Sequence, residues 1–116
     1  MKNLVFFILS CISQIALCQM ESKPITEFVS YDPSKEVLID VRTPDEFNGG
    51  HIDGALNIDW FSSDFNKQVE KLEKDKTIYV YCKKGGRSLK SQARLKELGF
   101  LNVVNLEGGF DAYSKK

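Results

Sequence analysis

The 116-residue sequence has one histidine and three cysteines, no net charge, and no unbroken apolar run of membrane-spanning length. Each shortage excludes something. A metal site draws on several His, Cys or acidic ligands at set spacings, and within residues 19–116 His51 has no second histidine and no cysteine but Cys82 to join it. Sixteen basic against sixteen acidic side chains offer no overall field to nucleic acid or to an acidic membrane surface, so recognition by charge has to be local. A spanning helix needs about 20 apolar residues in succession, and the longest candidate, 1–20, is broken by Ser10, Ser13 and Gln14. Internal repeats and low-complexity linkers are missing too. A composition of 42% hydrophobic and 28% charged residues suits one globular domain.

Residues 1–18 are expected to be a secretory signal peptide, leaving 19–116 as a single domain. Lys2 supplies the positive start, Leu4 to Leu9 with Ile12 to Leu17 the apolar stretch, and Ala16-Leu17-Cys18 a small-x-small cleavage site before Gln19. In the alternative, Cys18 is the lipidated residue of a lipoprotein signal, against which Leu17 is bulky for its position. Cleavage removes Cys11 and Cys18 and leaves Cys82 alone. An exported protein with one cysteine has no internal disulfide, and its leftover thiol points to a reactive group or to intermolecular pairing. The expected destination is the periplasm or the exterior, with no membrane span after cleavage.

Tyr79-Val80-Tyr81-Cys82-Lys83-Lys84-Gly85-Gly86-Arg87-Ser88 is the stretch around which the chain is organised. Thr77 to Tyr81 is β-branched and aromatic and predicts a strand. From Ser88, the residues Leu89, Ala93, Leu95 and Leu98 predict a helix with an apolar face, ended by Gly99. Cys82 then sits at the carboxyl end of a strand, ahead of a helix N-terminus, where open α/β sheets bind ligands. A helix N-terminus and nearby cations lower a cysteine pKa from about 8.5 into a range of about 3.5–7.5. Lys83, Lys84 and Arg87 supply the cations. Gly85 and Gly86 permit backbone conformations that turn successive N–H groups inward around an anion. The bland reading is a buried structural cysteine beside an ordinary Gly-Gly turn.

Elsewhere, Ile25, Phe28 and Val29 predict a turn or two of helix before the Asp32-Pro33-Ser34 turn. Val37-Leu38-Ile39 reads as a buried parallel strand, and Thr43-Pro44-Asp45-Glu46 as a capping box opening a short helix that Asn48-Gly49-Gly50 ends. His51 to Ile58 is a turn leading into a short strand. Ser62-Ser63-Asp64 reads as an N-cap for a helix with Phe65, Val69 and Leu72 on its apolar stripe. Leu101 to Leu106 is a last strand, followed by a Gly108-Gly109-Phe110 turn and a helical turn holding Tyr113. His51 is open to two readings, a general base for Cys82 or a structural hydrogen-bonder. Strands alternating with helices at this spacing imply a small α/β domain with a mainly parallel central sheet.

Three segments together resemble the rhodanese domain in its single-domain form. They are Asp40 to Phe47 with Gly50 to Ile58, the loop Cys82 to Ser88, and Leu106 to Phe110, with Tyr113 where a tryptophan is common. The resemblance implies a mainly parallel sheet flanked by helices on both faces, and a thiosulfate sulfurtransferase activity with no cofactor. Cys82 would take sulfane sulfur from a small anionic donor such as thiosulfate and pass it to cyanide or a thiol. Backbone N–H groups of Lys83, Lys84, Gly85, Gly86, Arg87 and Ser88 would stabilise the persulfide, with the three cations attracting the donor. Asp40 and Arg42 would brace neighbouring loops through a charge pair, the alternative for Arg42 being to reach the site mouth. Three alternatives stand beside it: an exported persulfide carrier or redox partner for a protein thiol, a non-catalytic rhodanese binding module, and a phosphatase or arsenate reductase. The last uses five residues between cysteine and arginine, whereas Cys82 and Arg87 are separated by four.

Overall fold

The structure is a computed structural model that describes residues 19–116; the expected leader, with Cys11 and the alternative lipid site Cys18, lies outside the described residues. Five strands run in chain order: β1 (Gln19–Pro24), β2 (Glu36–Asp40), β3 (Leu56–Asn57), β4 (Thr77–Tyr81) and β5 (Asn102–Glu107). Four helices alternate with them: α1 (Pro44–Asn48), α2 (Phe65–Val69), α3 (Gly86–Glu97) and α4 (Gly109–Tyr113), with a single 3-10 turn over Ile25–Glu27. All strand pairs are parallel, in the order β1-β5-β4-β2-β3, so β4 is the middle strand.

Alternation along the strands divides the core between the two faces of the sheet. Ile78, Val80 and Cys82 join Ile39 and Val103 on one face, covered by Phe65 and Val69 of α2 and Leu95 of α3. Leu38, Tyr81, Val104 and Leu106 form the other, covered by Ile25, Phe28 and the α4 residues Phe110 and Ala112. Helices on both faces are the arrangement expected for a parallel sheet. The thiol consequently starts from the α3 face, and α4 reaches the same loop from behind.

Three details depart from the sequence reading. β1 is a strand that no apolar pattern announces: Met20 to Lys23 are exposed, and the segment is held by its backbone register with β5. In α3 the buried residues are Ser88, Ser91, Gln92 and Leu95, at i, i+3, i+4 and i+7, while Leu89 and Ala93 face solvent. Polar residues fit this face because each has a partner. Ser91 donates to the Arg87 carbonyl at 2.8 Å, and the Gln92 amide donates to the carbonyls of Glu21 and Val103 at 2.8 and 3.0 Å. Finally, α2 stops at Val69, before Leu72, and its N-cap Asp64 makes no side-chain capping bond; Ser62 instead accepts from the Asp64 N–H.

Candidate active site

Cys82 follows β4 directly and is 1% exposed. Its Sγ accepts a hydrogen bond from the Gly85 N–H at 3.0 Å and lies 3.5 Å from Ser88 Oγ. Burial pushes the thiol up. Against it act the Ser88 hydroxyl and the backbone N–H groups of Ser88, Gly85 and Lys84, and together they hold the thiol below its ordinary pKa. Ser88 Oγ also donates to the Gly85 carbonyl at 3.0 Å. A hydroxyl has one proton, so ionisation of Cys82 calls for that proton to turn from the carbonyl to the sulfur.

The loop takes its shape from both ends. At Gly85, φ is +129°, a region that L side chains rarely adopt, and an added Cβ there would meet nothing within 4 Å. The requirement at Gly85 is therefore conformational. Gly86 needs no such freedom: its φ is not positive and it is the first residue of α3, which corrects the reading that gave both glycines the same task. From the other side, the first turn of α4 takes hold of the loop's carbonyls. The Phe110 N–H bonds the Cys82 carbonyl at 2.8 Å and the Asp111 N–H bonds the Lys83 carbonyl at 3.1 Å. With the carbonyls drawn toward α4, the N–H groups that follow are left to face the sulfur. A side chain at Gly109 would run into the backbone of Cys82 and Lys83, so this approach is open only to glycine. The sequence reading saw a turn at Gly108-Gly109 but not its contact; the signal was a glycine pair opening a helix.

Arg87 is placed differently from expectation. Its guanidinium forms a two-pronged pair with Glu46 of α1, Nη1 to Oε1 at 2.7 Å and Nη2 to Oε2 at 3.0 Å. The same carboxylate accepts from the Thr43 N–H and hydroxyl, closing the predicted capping box. The Arg87 bond, followed by those from Thr43, lowers the Glu46 pKa to about 2 despite partial burial. Arg87 is thus held rather than free, and Glu46, read only as a capping residue, is a second-element support of the loop. Lys83 and Lys84 extend into solvent, and no ion pair among the described residues engages either.

The remaining site residues lie behind the loop. Asp40 and Arg42 form a buried pair at 2.7 Å, Arg42 also donates to the Gly50 carbonyl at 2.7 Å, and its guanidinium stacks 4.4 Å from the Phe110 ring centroid. This links the end of β2 to the Gly50 turn and to α4. His51 stacks on Phe47 with ring centroids 3.6 Å apart and donates from Nδ1 to the Phe47 carbonyl at 2.9 Å. Its partner is its own helix end rather than Cys82. No group of three or more His, Cys, Asp or Glu side chains among the described residues is placed to hold a metal. None of the described helices is long and apolar enough to cross a membrane.

Comparison with known proteins gives this geometry a family. The family described as the rhodanese-like domain matches residues 27–116. An uncharacterised Bacillus subtilis protein, YqhL, is 40% identical over 82 residues, which cover 71% of this chain and 64% of that protein. The chain therefore spans just under two thirds of that relative. Thiosulfate sulfurtransferase 16 of Arabidopsis thaliana chloroplasts is 37% identical over 87 residues, covering 66% of this chain and 72% of that protein. Among solved structures, SSP1007 of Staphylococcus saprophyticus superposes with a TM-score of 0.69 at 34% identity, covering 81% of this chain and 93% of that one. With the profile spanning most of the chain and the parallel sheet shared, this protein belongs to the rhodanese-like domain family.

Proposed function

We propose that this protein is a sulfurtransferase in which Cys82 carries sulfane sulfur from a donor such as thiosulfate to a thiol or cyanide. The observation that carries the reading is the buried Cys82 sulfur inside a short loop, with the Gly85 N–H at 3.0 Å and Ser88 Oγ at 3.5 Å. The Cys82 thiolate attacks the outer sulfur of thiosulfate. A bond forms between Sγ and that sulfur, the S–S bond of thiosulfate breaks, and its electron pair leaves with sulfite. The resulting persulfide anion sits where fixed N–H dipoles already point, so its charge is stabilised without reorganisation. An acceptor thiolate or cyanide then takes the terminal sulfur and returns the electron pair to Sγ. Lys83 and Lys84 supply positive charge at the loop mouth, and Arg87 acts mainly by fixing the loop against Glu46.

The phosphatase or arsenate reductase reading is weaker. Four residues between Cys82 and Arg87 give a narrow cradle, and the guanidinium that would grip a tetrahedral oxyanion is committed to Glu46. The export expectation from residues 1–18 accompanies the proposal and would put the reaction in the periplasm or outside the cell.

Intact mass spectrometry before and after thiosulfate tests the reading, with Cys82→Ser alongside. Gain of one sulfur atom on the wild type only, reversed by cyanide or a thiol, is the expected result. No gain on folded, reduced protein would overturn it. The starting mass also reports where the leader is cut.

A further inference from the structure

We propose that the groove between residues 60–66 and Arg94 of α3, joined to the Cys82 loop through the Phe61–Arg87 contact, docks the sulfur acceptor, and that the acceptor is a protein segment with carboxylates and an apolar side chain flanking its cysteine. The inference rests on the sulfur-transfer reading of Cys82 and names the partner class that such a site fits. The groove encloses about 410 Å³ and is lined by Trp60, Phe61, Phe65, Asn66 and Arg94, with Ser62 and Ser63. Trp60 and Phe65 pack into the core as an edge-to-face pair, but Phe61 is left 68% exposed. It is not stranded at random. The Arg87 guanidinium lies 5.5 Å from the Phe61 ring centroid, and that of Arg94 lies 5.3 Å from Trp60. The aromatics therefore run from Arg87, at the end of the Cys82 loop, to Arg94 further along α3.

Charge runs along the same line. In a chain with no net charge, residues 83–96 carry Lys83, Lys84, Arg87, Lys90, Arg94 and Lys96; Arg87 is paired with Glu46 and Arg94 lies 3.9 Å from Glu97, while no ion pair among the described residues engages the four lysines. Arg87, Lys90 and Arg94 stand at i, i+3 and i+7, one stripe of the helix, and the first and last of these touch the aromatics, so Lys90 faces the same way. Seven residues of helix set Arg94 about 10 Å along the axis from Arg87. A donor a few atoms across, held at Cys82, gains little from Lys90 or Arg94; an extended anion gains from both. Nucleic acid fits less well. Its backbone is charged at every step and would pass Asp59 and Asp64, each next in sequence to one ring of the Trp60–Phe65 pair, and a single exposed ring offers little stacking. A peptide places carboxylates only where the cations are. In the transfer step the acceptor thiolate attacks the terminal sulfur of the Cys82 persulfide. The new S–S bond forms on the acceptor, the bond to Sγ breaks with its electrons returning to Sγ, and no oxidant is consumed.

The test uses short peptides carrying one cysteine, one phenylalanine and several glutamates, their counterparts with lysine for glutamate, and dithiothreitol as a plain thiol. Protein loaded with thiosulfate and desalted should pass sulfur to the acidic peptide about tenfold faster than to the basic one at low salt, and the gap should close as salt rises. Lys90→Glu and Phe61→Ser, both at exposed positions, should each reduce that preference several-fold while transfer to dithiothreitol stays unchanged. Equal rates for the two peptides, or variants that keep the preference, would overturn the docking site even when loading succeeds. Failure to load sulfur would instead count against the sulfurtransferase reading. In that case the groove is still tested by fluorescence titration of a labelled serine form of the acidic peptide, where tighter binding than the basic form is expected. Tighter binding of a single-stranded oligonucleotide than of the acidic peptide would reject the peptide as occupant.

Discussion

Cys82 has donors of two kinds, and they answer differently to mutation. The Gly85 N–H is part of the backbone and stays whatever side chain is changed, whereas the Ser88 hydroxyl can be removed. In Ser88→Ala, alkylation of Cys82 by iodoacetamide followed against pH should titrate at higher pH than in the wild type, because burial is then opposed by fewer hydrogen bonds. An unmoved midpoint would assign the effect to the backbone alone. The same variant frees the Gly85 carbonyl, at a cost of about 1 kcal/mol in stability. Glu46 gives a second test. Its carboxyl falls from 4.5 to about 2 on folding, so the folded state binds fewer protons between those values. The pair's stabilisation is complete above pH 4.5 and is lost as pH falls toward 2. Wild type should therefore lose roughly 1–2 kcal/mol more than Glu46→Gln between pH 5 and pH 3 in urea unfolding, discounted because the pair is partly solvated. Cys82 and its cations were legible from the sequence because loop chemistry is local. The Glu46 contact was not: Thr43 and Glu46 satisfy a capping box by themselves, and nothing in the sequence links residue 46 to residue 87.

At the scale of elements, the sheet and the order of helices followed from short apolar runs and turn residues, while two elements hid. β1 has no apolar alternation because Met20 to Lys23 face water and the segment is held mainly through its backbone, with the Ser22 hydroxyl accepting from Asn105 at 3.4 Å. In α3 the apolar residues suggest one face, but the buried stripe is Ser88, Ser91, Gln92 and Leu95, where polar groups are satisfied by backbone carbonyls. Leu89→Gln should consequently stay within about 0.5 kcal/mol of wild type. Gln92→Ala should lose about 1–3 kcal/mol, because the Glu21 and Val103 carbonyls lose their donor. A reversed ranking by chemical denaturation would restore the apolar-face reading. Gly109→Ala acts on α4. Its side chain would push the helix off the Cys82 and Lys83 backbone, so the sulfur-loading rate should fall at least tenfold while the protein remains folded by circular dichroism. Full loading activity would show that α4 does not shape the loop.

For the whole molecule, neutrality hides an uneven distribution: residues 83–96, the Cys82 loop and all of α3 but its last residue, Glu97, gather six cations without a carboxylate. Replacing Lys83 and Lys84 together by alanine should flatten the salt dependence of sulfur uptake from thiosulfate, since both side chains are exposed and screened charges act at range. An identical salt response would leave them as solvated surface. The hold of α4 on the Cys82 loop also has a consequence in time. A chain emerging from synthesis presents Cys82 before Phe110 and Asp111 are there to bind the carbonyls behind it. Until they arrive the loop's carbonyls lack their two α4 partners. The last helix of the fold is thus also the last part of the loop's frame, and any chemistry proposed for Cys82 would wait on the end of the chain.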